Sequence, residues 1–144
     1  MFRSLTLLAC ALLSSAGARC VIAQAQLDMP EYNALRASIG ALAVRIECDA
    51  PDERAQLLMA GSGLSASLDQ QLQLTVYNTA ATGLPFQTNA PLVLTVSQGL
   101  PLLAGLDVSG SQTLRFPLTA PAGQWVAVGT YALPLSLSLR PSLP

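Results

Sequence analysis

The chain has 144 residues with seven basic side chains, all arginine, against eight acids, no histidine, and charge on only 10% of positions. Without histidine, Ser-His-Asp and Cys-His catalysis are excluded, and without a basic excess there is no footprint for nucleic acid or an anionic membrane surface. Globular proteins carry charge on about a quarter of their residues. The surface here therefore falls to Ser, Thr, Gln, Asn and Ala, a covering that favours association.

Residues 1–25 read as a secretory signal peptide. Arg3 supplies the positive start, Leu5 to Leu13 the apolar run, and Ser14 to Ala18 the small residues that follow. Cleavage after Ala23 or after Ala25 satisfies the small-residue rule. The apolar run is too short for a permanent membrane span, so no stable membrane anchor is expected. Lipidation is disfavoured, because Arg19 precedes Cys20, and Cys10 falls before the apolar run ends. Removing the leader discards Cys10 and Cys20 and leaves Cys48 alone. That cysteine shares a face with Leu42, Val44 and Ile46, so it is expected to pack as a buried hydrophobe rather than reach another molecule. The remaining chain carries five arginines against eight acids, a net charge of −3.

Residues 26–36 have no clear period, and Pro30 argues against a central strand, so they read as an N-terminal arm. The single domain then spans 37–144. Ala37 to Cys48 alternates as a strand with Leu42, Val44 and Ile46 inward. Asp49-Ala50-Pro51-Asp52-Glu53 is a turn cluster. Arg54 to Ala60 is compatible with a short strand or one helical turn. After the Gly61-Ser62-Gly63 turn, alternation returns with Leu72, Leu74 and Val76, and again with Leu92, Leu94 and Val96. Asn78 to Gly83 is a loop, and Gly99 to Gly110 is loop with at most a short extended piece. Leu114, Phe116 and Leu118 mark another strand, and Pro121-Ala122-Gly123 another turn. Trp125 and Tyr131 read as core anchors. The last strand is the most regular: Tyr131, Leu133, Leu135, Leu137 and Leu139 share one face for ten residues, and Pro134 on the other face points to a sheet edge. The expected fold class is all-β, an immunoglobulin-like antiparallel β-sandwich of about seven strands.

Chemical motifs are sparse. Zinc has one candidate thiol and no imidazole. Asp49, Asp52 and Glu53 lack the ligand spacing of a calcium loop and read as a solvated turn. Asp69 and Asp107 each sit beside a turn, with no shared cleft indicated for glycosidase chemistry. Ser62 has no base. No catalytic residue, metal site or cofactor is expected.

Gly129-Thr130-Tyr131 opening a long alternating C-terminal strand resembles secreted bacterial pilin-type domains: chaperone–usher fimbrial subunits and the related spore coat protein U-like group. The resemblance implies an incomplete immunoglobulin-like fold, completed first by a periplasmic chaperone strand and then by the arm of the next subunit. By that analogy Gln26 to Leu35 is the donor arm, with Leu27 and Met29 as its apolar positions. Tyr131, Leu133, Leu135, Leu137 and Leu139 would line the acceptor strand. The expected protein is thus a secreted, non-enzymatic interaction subunit of the periplasm, a pilus or a surface coat. Its partners would be other protein subunits, self included, and a chaperone. The alternative is a periplasmic or extracellular module that holds a small ligand or carbohydrate between loops.

Overall fold

The computed structural model describes residues 19–78, 91–126, 131–132 and 135–142. Its strands are β1 (Cys20–Asp28), β2 (Ser38–Cys48), β3 (Arg54–Ala60), β4 (Leu64–Ala66), β5 (Leu72–Asn78), β6 (Leu92–Val96), β7 (Leu106–Ser109), β8 (Gln112–Ala120), β9 (Tyr131–Ala132) and β10 (Ser136–Pro141). A 3-10 turn at Leu100–Leu103 precedes β7. All pairings are antiparallel. The larger sheet runs β1-β2-β8-β6-β5-β4, with β9 paired to β5, and the smaller runs β10-β3-β7. The fold is an all-β sandwich.

Alternation explains why these segments are strands. Period two puts Leu42, Val44 and Ile46 of β2, Leu72, Leu74 and Val76 of β5, and Leu92, Leu94 and Val96 of β6 in the core. Each such side chain contributes about 2 kcal/mol by leaving water. Arg54–Ala60 resolves as a strand because Ala55, Leu57 and Met59 alternate inward and meet β10 and β7 on either side. The stretch 99–110 holds more order than its glycines suggest. Leu102 is fully buried, Val108 of β7 is buried, and Gly110 takes the left-handed conformation (φ +65) that closes the turn to β8.

Regular structure begins earlier than the sequence suggests. Residues 20–28, expected as the end of the leader and the start of the arm, form the strand β1, paired to β2 from Cys20↔Cys48 to Asp28↔Ala41. Cys48 is not alone: it forms a disulfide with Cys20, 28 residues away. The strand escapes a periodicity reading because its register shifts between Ile22 and Gln24. Ala23 is the extra residue of this bulge, so the inward set changes phase from Cys20 and Ile22 to Ala25 and Leu27. Beside the disulfide, the Cys48 N–H donates to Ser111 Oγ (2.8 Å) and the Asp49 N–H to the Arg19 carbonyl (3.0 Å).

The terminal segment also departs from expectation. It is not one strand: Tyr131–Ala132 pairs with β5 in the larger sheet, whereas Ser136–Pro141 pairs with β3 in the smaller. Leu133 and Pro134 lie outside the described residues. β10 is an edge strand, hydrogen-bonded on its β3 side. Its outward face joins a polar ladder across all three strands of the smaller sheet. Arg140 Nε donates to Gln56 Oε1 (2.8 Å), and Gln56 Nε2 donates to Asp107 Oδ1 (2.9 Å).

The disulfide closes a loop that the chain-entropy model values at about 3–4 kcal/mol. Cys48→Ser, or reduction of the native protein, is expected to lower stability by about that amount in chemical denaturation. Equal midpoints for oxidised and reduced protein would show that the cross-link does not restrain the unfolded chain.

Candidate functional site

The registers define two ends of the sandwich. One holds the start of β1, the end of β2 and the start of β8, together with the disulfide. The other holds the end of β1, the start of β6 and the end of β5, since Leu92 pairs with Val76. At this second end a cleft of about 580 Å³ opens beside the core.

Its floor is aliphatic. Leu27, Val76, Leu92 and Leu94 reach it from three strands, all buried. Tyr131 of β9 adds an aromatic wall. One side is the segment 29–36, which leaves β1 at Met29, and the other is residues 124–126. The two sides are tied together. Tyr32 Oη donates to the Pro121 carbonyl (2.7 Å) and accepts from the Gln124 N–H (3.0 Å), and the Gly123 N–H donates to the Ala34 carbonyl (2.7 Å). Gly123 makes this possible with φ +86. Gln124 pins its segment to β6: its Oε1 accepts from the Val93 N–H (2.7 Å) and its Nε2 donates to the Val93 carbonyl (2.9 Å). Gly40 lets β1 turn away into the 29–36 segment, since a Cβ there would run into the Asp28 carbonyl and the Met29 backbone.

Of the polar side chains in the walls, Tyr32, Asn33 and Gln124 bond to backbone, whereas Glu31 and Arg36 of the 29–36 side are exposed and bring one charge of each sign to the cleft. Gln124 completes its set by donating to the Pro121 carbonyl (3.2 Å). Tyr131 is buried and hydrogen-bonded with Asn78, and burial raises its phenol above the ordinary 10.0. Trp125, expected in the core, instead stands on the rim with 72% of its surface exposed. Residues 124–126 form no strand that could carry it inward.

Of the residues expected to pair with a partner, Leu27, Met29 and Tyr131 meet in this cleft. Leu27 is 3% exposed in the chain's own core, opposite Leu42, so it is not a side chain held out for a neighbouring subunit. Leu135 is buried, and Leu137 and Leu139 are half-buried against the same core. Gln124 carries no sequence signal for its role, because its importance lies in reaching Val93, 31 residues back.

Elsewhere, Asp49, Asp52 and Glu53 form the turn between β2 and β3, and no group of three potential metal ligands gathers among the described residues. Asp69 sits in the turn before β5 of the larger sheet and Asp107 on β7 of the smaller, each exposed. A shallower depression near the disulfide is lined by Arg45 and Glu47, which form an ion pair with each other. Compared with protein-family models, curated proteins and solved structures, the chain matches none.

Because the folded state holds the Tyr131 proton above the pH at which an unfolded chain releases it, its contribution is complete below about pH 10 and is lost as pH rises through the folded pKa. Alkaline denaturation of Tyr131→Phe should lose this increment of pH dependence. An unchanged profile would place Tyr131 in water.

Proposed function

We propose that this is an exported, non-enzymatic binding protein whose cleft takes a small, mainly apolar molecule. The observation that carries the reading is the cleft itself. It falls in the size range of small-molecule sites, has an aliphatic floor, and bears an exposed indole on its rim. A carbohydrate fits less well. Sugars need polar side chains aimed at their hydroxyls, whereas the floor here is aliphatic, the amide of Gln124 and the hydroxyl of Tyr32 are committed to backbone groups, and the remaining polar lining residues, Glu31, Asn33 and Arg36, all come from one exposed segment. A hydrocarbon chain or ring would instead gain from burial against leucine and from stacking on Trp125.

Trp125 is the only tryptophan, so its emission reports occupancy. Titration with decanol or an anilinonaphthalene sulfonate dye should give a saturable blue shift. Trp125→Ala should weaken binding by about three- to tenfold, the range for one aromatic contact, and leave the melting temperature unchanged. Linear, non-saturating changes with both probes would sink the proposal.

A second reading, the pilin-like or coat-like subunit, draws on one observation: β10 is hydrogen-bonded to β3 and forms an edge. An edge strand with apolar inward positions is a surface to which another chain can add a strand. The added strand would not be residues 26–36 of a neighbouring copy, since Leu27 belongs to the chain's own core. On this reading the protein should self-associate with rising concentration in size-exclusion chromatography. Ser138→Lys, exposed on β10, should weaken that association. A wild-type protein monomeric at every concentration would remove the reading.

A further inference from the structure

We infer that the leader is cut after Ala18, so that the mature chain begins at Arg19 and carries Cys20 into its disulfide. The inference rests on the export reading and is independent of what the cleft binds.

The fold excludes the two later sites. Cleavage after Ala23 or Ala25 would remove Cys20, whose side chain is 4% exposed and bonded to Cys48. It would also remove Val21 and Ile22, which pair with Glu47 and Ile46. The end of β2 would lose its neighbour and Cys48 would be left as a half-buried thiol. β1 contributes only from Cys20 onward, and the preceding Arg19 is exposed, with its carbonyl accepting from the Asp49 N–H. A new N-terminus at Arg19 therefore leaves every β1 pairing intact.

The sequence independently offers a cut at that point. Ala16-Gly17-Ala18 places alanine at −3 and −1, the small-residue pattern of signal cleavage, a few residues after the apolar run that ends at Leu13. Two unrelated constraints thus coincide: the processing enzyme's demand for small side chains and the sheet's demand for Cys20. The disulfide fits the same history, since export delivers the chain to a compartment where thiols oxidise. The bond forms by thiol–disulfide exchange with a disulfide-bearing oxidant of that compartment, whose own disulfide is reduced to two thiols as the Cys20 and Cys48 thiols are oxidised. Six arginines then face eight acids, a net charge of −2.

The test is expression of the full chain, leader included, in a host with a general secretory pathway, followed by intact mass and N-terminal sequencing of the exported protein. The expected product begins at Arg19, is lighter than the reduced chain by two hydrogens, and alkylates at cysteine only after reduction. Two variants separate the sites. Ala18→Phe should accumulate precursor, whereas Ala23→Phe, at an exposed bulge position, should be processed like wild type. An N-terminus at Gln24 or Gln26, or precursor accumulation in Ala23→Phe but not Ala18→Phe, would overturn the inference. An uncut chain retained in the cytoplasm would overturn the export reading with it, whereas a correct cut with no probe binding would remove only the ligand proposal.

Discussion

The pairing of β1 with β2 is the constraint on which the rest of the molecule depends. At one end the Cys20–Cys48 bond holds the two strands in register, and at the other Leu27 lies opposite Leu42 in the core. Between them Ala23 takes up one residue in a bulge, which lets Leu27 arrive on the inner face. Had the register run on without the bulge, every residue beyond it would face the opposite way. Leu27 would then point to solvent and the cleft would lose part of its floor. The cleft at one end of the sandwich thus depends on the register that β1 takes along β2.

With so few charges, the molecule holds its surface and loops together by hydrogen bonds rather than ion pairs. Among the described residues one ion pair is present, Arg45 with Glu47, and both partners are exposed, so it adds little. The organising polar contacts are Gln124 on Val93, Tyr32 on Pro121, and the Arg140–Gln56–Asp107 ladder. Each connects segments far apart in the chain. No buried side-chain nitrogen or oxygen among the described residues lacks a partner, so polar desolvation is met by pairing.

This economy shapes the cleft. Tyr32 and Gln124 use their polar atoms to hold the backbone of the walls, the floor is hydrocarbon and ring, and Glu31 and Arg36 add exposed charge on one side. An apolar ligand would therefore find a site that is already formed. Its tightness would come from buried area and from Trp125 rather than from new hydrogen bonds.

Much of the core was legible from sequence. The inward positions of β2, β5, β6 and β8 follow from alternation, because a strand half-buried on one face must repeat every second residue. The fold class and most turns follow from the same pattern and its glycine and proline punctuation. Three things were not legible. The phase slip at Ala23 hid β1 within a leader-like stretch. The terminal strand looked continuous because Tyr131 and Leu137 share a parity even though they lie in different sheets. Trp125 looked like core because size and apolarity do not reveal which way a loop faces. By itself the sequence determined which residues of β2, β5, β6 and β8 leave water, since that depends on local period and side-chain chemistry. Only the tertiary structure decided what they meet: Cys20 with Cys48, Gln124 with Val93, and Leu27, Leu92 and Tyr131 around one cleft. Those meetings depend on strand order and register, which arise from long-range pairing.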